Sequence, residues 1–262
     1  MEKYILNTSD YEFSMFNHHG LGGIHKYIAT PKKIGLPKLI VKHEYCHTAC
    51  NEFVASRIAE LLHINTSKTY LFRTDSNDMH IFKTPYAIGI EYIDDFAENI
   101  PFDRIRTDKN LLSDFLGGYA MYAMFSRFGD IPQCGYSRTN GILFFDFDEY
   151  FCLTDFHIRL LMNSESDGKT WFSQSLQSFQ KYSITSDVDI IVDYLVKQLQ
   201  ISENIVRPIL LQPMRRFVNL SKSDLQPILE SISEIYPNHV AKFYNDFFAI
   251  LNKKIKQELL FF

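Results

Sequence analysis

The sequence contains no apolar run approaching the ~20 residues that a helix needs to cross a bilayer, and its N-terminus lacks the apolar segment of a secretory signal peptide. Cysteine is also scarce. Four cysteines in 262 residues are too few for a disulfide framework and favour free thiols in a reducing compartment. We therefore expect a protein without a transmembrane segment, located in the cytoplasm or exported without a cleavable signal peptide.

The sequence has no excess of basic residues. The formal net charge is −4, whereas a protein that binds nucleic acid without sequence preference carries a broad basic surface. We therefore expect no nucleic-acid partner for this chain by itself.

Repeats, low-complexity tracts and linkers rich in proline, glycine or serine are absent as well. Hydrophobic residues make up 46% of the chain and aromatic residues 15%, a composition far from that of a disordered protein. The pattern changes near residue 95. Short strand-like runs with one helix precede this point, and helical spacing dominates after it. The sequence thus predicts an α+β fold with two parts, residues 1–95 and 96–262.

The apolar pattern also predicts individual elements. In the first part, strands are expected over 36–42, 69–72 and 86–93, and a helix over 48–63. In the second part, helices are expected over 112–125, 190–199, 225–235 and 239–260. A hairpin is predicted from the apolar runs 142–145 and 150–153, because the polar residues 146–149 between them suit a turn.

Three features of the first part suit the binding of phosphate. Gly20, Gly22 and Gly23 precede the predicted strand that ends at Lys42, and glycine lets backbone amides approach phosphate without a Cβ in the way. Glu52 follows on the predicted helix, where an ion pair with Lys42 would aim the ammonium group at phosphate oxygens. Two alternatives stay open: the glycines form an ordinary turn, and the two charged side chains are solvated.

A connector between the two parts is expected at Glu91, Tyr92 and Ile93. These residues end a strand of small and apolar residues at the point where the pattern becomes helical. In a nucleotide-binding cleft the backbone of such a connector would receive adenine, so the argument rests on position and not on side-chain type. The alternative is an ordinary strand end.

Three polar residues of the second part suit phosphoryl transfer. Asp130 follows a predicted helix and can present a carboxylate that orients an attacking hydroxyl group. Asn140 and Asp155 lie at the two ends of the predicted hairpin, and their oxygen atoms are the hard ligands that Mg²⁺ prefers. The alternatives are a turn at Asn140-Gly141 and a helix cap at Asp155.

A second kind of metal site is suggested by a short cluster of soft ligands. The cluster consists of His43, Cys46, His47 and Cys50, residue types that bind zinc. Structural zinc normally joins two separate segments, and this cluster lies in one. The alternative, a helix start built from small and polar residues, also stays open.

The motifs together resemble a known family. They are Ile40-Val41-Lys42, residues 51–62, residues 87–92, Asn140-Gly141-Ile142-Leu143-Phe144 and Thr154-Asp155-Phe156. In this order they are similar to the phosphatidylinositol-kinase-like bacterial protein kinases, which include the HipA-like toxins and a small proinflammatory kinase. The resemblance spans most of the chain.

This resemblance implies a two-lobed kinase-like fold. The small mixed α/β N-lobe would be residues 1–95, with the glycine-rich loop, the lysine strand and the glutamate helix, and the larger, mainly helical C-lobe would be residues 96–262. It implies ATP and Mg²⁺ as cofactors and phosphorylation of serine or threonine in a protein acceptor, including autophosphorylation. A regulator of the antitoxin type is among the partners it suggests.

The chain departs from the family between Asp130 and Asn140. The family usually places the metal-binding asparagine about five residues after the catalytic aspartate, whereas here the segment is longer and the usual basic pair is missing. Gln133 therefore competes with Asn140 for the metal-binding role, and Arg138 can supply positive charge. Two other functions stay open: a pseudokinase or interaction module, and a lipid or small-molecule kinase.

Overall fold

The computed structural model describes residues 4–16, 26–42, 49–82, 86–125, 132–147, 150–151 and 165–259. Within these ranges the strands are β1 (Ile5–Asn7), β2 (Tyr11–Met15), β3 (Lys26–Pro31), β4 (Leu39–Lys42), β5 (Thr69–Arg73), β6 (Tyr86–Glu91), β7 (Gln133–Ser137) and β8 (Gly141–Phe145). The helices are α1 (Ala49–Leu61), α2 (Met79–Phe82), α3 (Phe102–Ile105), α4 (Lys109–Phe125), α5 (Glu165–Lys181), α6 (Ile184–Leu199), α7 (Glu203–Phe217), α8 (Lys222–Ile235) and α9 (Asn238–Glu258).

Strands β1 to β6 form one sheet in the order β1-β5-β6-β4-β3-β2. Only β1 and β5 are parallel; the other neighbouring pairs are antiparallel. Side chains alternate between the two faces of the sheet. Leu39 and Val41 of β4 are fully buried in a small apolar core with Phe82, so Ile40 and Lys42 lie on the opposite face.

Helix α1 packs against that opposite face and is enclosed on all sides. Every residue from Ala49 to Ala59 is buried, because the helix lies between β5 and β6 on one side and α8 on the other. Two side chains of the helical part of the chain donate hydrogen bonds to this helix and to the residue just beyond it. Tyr244 of α9 donates a hydrogen bond to Asn51 at 2.6 Å, and Arg216 of α7 donates one at 2.7 Å to the Leu62 carbonyl beyond the helix end.

The helical part packs around aromatic side chains. Phe179 stacks on Phe247 with 4.3 Å between ring centroids, and Phe151 makes edge contacts with Tyr244 and Phe247. This cluster and helix α1 belong to one continuous apolar core. The α+β fold, with a small sheet lobe and a larger helical lobe, is therefore confirmed. The boundary at residue 95 stays a prediction, although the sheet ends at Glu91 and the next helix begins at Phe102.

The predicted hairpin is wrong by one strand. Strand β8 pairs with the earlier segment Gln133–Ser137, and Tyr150 and Phe151, the described residues of the run 150–153, are not part of a strand. The physical reason is the Asn140-Gly141 dipeptide, which favours a tight turn. Gly141 has a φ of +78°, a conformation that glycine adopts without cost.

The sequence pattern did not predict two long helices, α5 and α7. Helix α7 contains Pro208 and Pro213, residues that usually end a helix. It persists because one apolar side, including Val206, Leu210 and Met214, is buried in the core. None of the helices in the described ranges is both long and apolar enough to span a bilayer.

The hydrogen bond from Tyr244 to Asn51 is expected to hold α1 against α9. Because Asn51 is fully buried, Tyr244→Phe should lower the free energy of unfolding by about 1–3 kcal/mol, the usual cost of removing a partner from a buried polar group. Urea denaturation measures this change. Tyr182→Phe, at a side chain that is 41% exposed, serves as the control. Equal stabilities of the two variants would contradict the expectation.

Candidate functional site

An open cavity of about 1400 Å³ lies between the sheet and the β7–β8 hairpin. The sheet contributes Ile40, Lys42 and Ile90, and the hairpin contributes Cys134 and Phe145. Residues that follow β6, 92–94 and 96–99, close one side. The cavity therefore has apolar walls, with charged groups at one end.

Lys42 occupies that charged end and forms ion pairs with two carboxylates. Its Nζ lies 2.9 Å from Oε1 of Glu52 and 2.5 Å from Oδ1 of Asp146. The side chains of Lys42 and Glu52 are 12% and 2% exposed, and that of Asp146 is 28% exposed. Burial alone would lower the pKa of Lys42, but the two carboxylates outweigh it and raise that pKa above its ordinary value. Lys42 is thus held as a cation.

Asp146 reaches Lys42 from the end of strand β8. Its backbone has a φ of +66°, a left-handed conformation that is uncommon outside glycine and that aspartate tolerates better than most residues. Burial raises the pKa of this carboxyl group, but Lys42, Lys26 and a hydrogen bond from Gln133 lower it, and the net shift is downward. Asp146 is therefore held as a carboxylate at neutral pH.

Gln133 lies next to Asp146 because of the strand register. It is opposite Phe145 in the β7–β8 pair, and its side chain hydrogen-bonds to Asp146. Both residues line the cavity. A carboxylate and an amide oxygen thus occur together at the charged end, and both are ligand types that Mg²⁺ accepts.

The predicted connector lines the cavity, since Glu91, Tyr92 and Ile93 all face it. The Tyr92 N–H donates to the Lys38 carbonyl at 2.9 Å, and Nζ of Lys38 lies 3.8 Å from the centre of the Tyr92 ring. Among the described residues, the Ile93 N–H has no backbone hydrogen-bond acceptor. The connector therefore presents the Ile93 N–H as a backbone donor beside the apolar walls.

The β7–β8 hairpin is fixed along both edges. On one edge, Ala97 and Tyr136 exchange two backbone hydrogen bonds of 2.9 and 2.7 Å. On the other, the Ser67 N–H donates to the Phe144 carbonyl at 3.3 Å. Gly135 allows the ring of Phe96 to approach the hairpin closely, because a Cβ at residue 135 would lie 2.1 Å from that ring.

The tip of the hairpin is anchored at the end away from Asp146. Oδ1 of Asp95 accepts a hydrogen bond of 2.7 Å from Ser137, and its Oδ2 accepts one of 2.9 Å from the Arg138 N–H. The Asn140 carbonyl accepts a hydrogen bond from Asn65. Asn140 therefore belongs to the hairpin turn and does not line the cavity.

The structure brings together part of the predicted site. Lys42 and Glu52 meet as an ion pair, and the connector residues face the same cavity. Asn140 lies apart from them. The predicted site residues Gly20, Gly22, Gly23, Asp130 and Asp155 lie outside the described residues.

The proposed zinc ligands are mostly outside the described ranges too. His43, Cys46 and His47 cannot be placed, and Cys50 is buried in α1. The described residues contain no cluster of three or more histidine, cysteine, aspartate or glutamate side chains suited to a metal ion.

Sequence reasoning missed Asp146. The signal was available, because an aspartate followed by phenylalanine ends the apolar run 142–145 just as it does at Asp155-Phe156. The motif Asp-Phe-Gly at a strand end is a metal-binding element in protein kinases, and Phe147 stands in its second position here. Two candidates of equal local quality were present, and the apolar run after Asp146 favoured the later one.

Asp114 of α4 supports the hairpin turn and should make stability depend on pH. Burial raises its pKa to about 6, above the value of about 3.9 expected in an unfolded chain. The folded state therefore binds the proton more tightly, and this stabilisation is lost as pH rises from about 4 through about 6. Asp114→Asn should gain stability relative to the wild type over that range, as urea denaturation at several pH values would show. A difference that stays constant with pH would contradict the assignment.

The ion pair of Lys42 and Glu52 can be measured directly. Lys42→Met leaves the nearly inaccessible Glu52 carboxylate without its cation, so we expect a loss of roughly 3–5 kcal/mol in unfolding free energy. Adding Glu52→Gln should restore part of that loss, because the buried charge is then removed. A double-mutant cycle with both single variants gives the coupling energy. Additive effects would contradict a direct interaction.

Comparison with known proteins adds information on the fold. No protein-family model and no curated protein sequence matches the chain. Among solved structures, the proinflammatory kinase CtkA of Helicobacter pylori is similar at 11% sequence identity with a TM-score of 0.53, over 95% of this chain and 93% of that chain. HipA of Shewanella oneidensis MR-1, in a complex with HipB and operator DNA, is similar at 15% identity with a TM-score of 0.40, over 94% of this chain and 62% of that chain.

The likeness to CtkA extends over nearly the whole of both chains. At 11% identity it bears on the fold and not on the activity. The chain therefore has the two-lobed fold of a solved bacterial kinase, in agreement with the resemblance that its sequence motifs indicated.

Proposed function

We propose that this protein is a kinase that uses ATP and Mg²⁺ to phosphorylate serine or threonine in a protein acceptor, itself included. The observation that carries the proposal is the pairing of Lys42 with both Glu52 and Asp146 at one end of the cleft. In protein kinases, a strand lysine paired with a helix glutamate positions the phosphates, and a nearby aspartate binds metal. The fold shared with the Helicobacter pylori kinase supports the same conclusion.

The apolar part of the cleft suits adenine. Ile40, Ile90 and Phe145 line it, and stacking between apolar side chains is a common way to bind a planar base. The Ile93 N–H can donate a hydrogen bond to a ring nitrogen. We assign adenine to the end of the cleft beside the connector, because the phosphates of the same nucleotide then extend toward Lys42 at the other end.

The charged end of the cleft suits the phosphates. Glu52 holds the ammonium group of Lys42 in place, and Lys42 would donate hydrogen bonds to phosphate oxygens. The segment with Gly20, Gly22 and Gly23 precedes β3, which borders the cleft at Lys26. We propose that its backbone amides contact the same phosphates.

We assign the Mg²⁺ ion to Asp146 and Gln133 rather than to Asn140. They hydrogen-bond to each other and both line the cleft, and Mg²⁺ typically takes one or two carboxylates from the protein and the rest of its ligands from phosphate and water. Asn140 lies beyond the far end of β8, about 20 Å from Asp146 at roughly 3.4 Å per residue. When bound, the ion would neutralise charge on the phosphates. A role for Asp155 stays a prediction.

We propose Asp130 as the residue that orients the acceptor hydroxyl group. It precedes Gln133 by three positions in the sequence, and Gln133 lines the charged end of the cleft. A carboxylate close to the phosphates can accept the proton of a serine or threonine hydroxyl group during transfer.

Incubation with Mg²⁺ and ATP labelled in the γ-phosphate tests the proposal. We expect label on the wild-type chain or on a generic protein acceptor. Asp146→Asn should lower the rate of label transfer by about 10²-fold or more, because the variant lacks the carboxylate charge that would hold Mg²⁺ against the phosphates in the transition state. Asn140→Ala, at the hairpin turn, is the matched control and should retain most of the activity. Hydrolysis of the labelled protein would identify phosphoserine or phosphothreonine.

Other outcomes would decide against the proposal. Thermal stabilisation by Mg-ATP without label on any acceptor would indicate a pseudokinase. Label on a lipid or small molecule but not on protein would indicate a kinase of another substrate class. Loss of activity in Asn140→Ala with retention in Asp146→Asn would restore the metal site predicted from sequence.

A further inference from the structure

A second lysine faces the cleft beside Lys42. Lys26, the first residue of β3, is directly opposite Lys42 in the antiparallel β3–β4 pair. Residues directly opposite each other in such a pair point to the same face of the sheet, and both lysines line the cavity. Two like charges in this arrangement destabilise a sheet, so their presence calls for a compensating interaction.

The carboxylates of the site pair with one of the two lysines. Lys42 is in contact with Glu52 and Asp146. Lys26 has no ion pair or side-chain hydrogen bond with any residue in the described ranges, although its charge is felt at Asp146. The two lysines and two carboxylates sum to zero charge, but within the described ranges it is Lys42, of the two lysines, that donates hydrogen bonds to these carboxylates.

The position of Lys26 points to phosphate as its partner. It directly follows the segment with Gly20, Gly22 and Gly23, and the Phe16 N–H donates to its carbonyl at 2.9 Å, so β2 and β3 meet at this point. A lysine ammonium group is a compact charge with three donors, and it binds phosphate as a point charge. Among the described residues, the ammonium donors of Lys26 have no side-chain acceptor, at the end of the cleft where Lys42 already contacts two carboxylates.

We propose that Lys26 is a second phosphate-binding lysine, which contacts the polyphosphate chain of the nucleotide beside Lys42. This inference rests on the proposed function. Phosphate binding also explains why Lys26 and Lys42 lie opposite each other, because two adjacent ammonium groups can bind a polyphosphate that carries several negative charges. The positive charges of Lys26 and Lys42 repel each other in the free protein, and a bound polyphosphate would neutralise them.

The proposal predicts a dependence on the number of phosphates. A contact to the polyphosphate strengthens the binding of ATP and ADP and leaves adenosine unaffected. A structural role for Lys26, such as balancing the charge of Asp146, would instead change the stability of the free protein and the binding of all three ligands.

Calorimetric titration with Mg-ATP, Mg-ADP and adenosine tests this. Lys26→Met should raise the dissociation constant of ATP about tenfold, the loss expected for one hydrogen bond to a charged group, and should leave that of adenosine unchanged. Lys26→Arg, which keeps the charge, should restore most of the ATP affinity. Lys222→Met, at an exposed position on α8, is the control for the loss of a lysine and should bind ATP like the wild type.

Thermal unfolding of the free variants completes the test. Lys26→Met should unfold at the same temperature as the wild type or at a higher one, because a like-charge pair is removed. Equal ATP affinity of Lys26→Met and wild type would overturn the inference while the proposed function stands. An equal loss for ATP and adenosine, or a lower unfolding temperature of the free variant, would overturn it in favour of a structural role. No binding of ATP to the wild type would overturn both proposals.

Discussion

The ion pairs of Lys42 tie together three parts of the chain that are far apart in sequence. Lys42 comes from the sheet, Glu52 from helix α1 and Asp146 from the end of the β7–β8 hairpin. Burying three charged groups costs desolvation energy, and well-packed apolar side chains would often be as stable or more so. The arrangement therefore contributes little as a source of stability. We interpret these three charged groups as the part of the proposed nucleotide site that faces the phosphates.

Holding these charges in place depends on the surroundings of α1. The helix is buried along its length, and both lobes contribute to its fixation. Arg57 in the same helix is itself buried, contacts Glu60 at 2.8 Å and hydrogen-bonds to the Thr69 carbonyl of β5. With Tyr244 and Arg216 on the other side, the helix has polar contacts in two directions. Glu52 is therefore positioned by packing and hydrogen bonds that do not depend on a ligand.

Local sequence patterns predicted the elements better than their pairing. The strands around Lys42 and Ile88 and the helix of Glu52 could be found from alternation and apolar spacing, and the Lys42–Glu52 pair followed from their order. The pairing of β8 with residues 133–137 could not be predicted, because Gln133-Cys134-Gly135-Tyr136-Ser137 is not an apolar run, whereas residues 150–153 are. The outcome depends on contacts distant in sequence, from Ala97 and Thr66 to the hairpin edges. Helix α7 was missed for a related reason, since burial outweighs its two prolines.

The edge-paired hairpin has a mechanical consequence. Backbone hydrogen bonds join Ala97, which follows the connector, to β7, and Ser67, which precedes β5, to β8. The sheet and the hairpin therefore share one hydrogen-bonded framework on the connector side of the cleft. Widening the cleft at that side would break backbone pairs and expose their donors and acceptors. The gap in which we place adenine thus has a width set by this backbone framework.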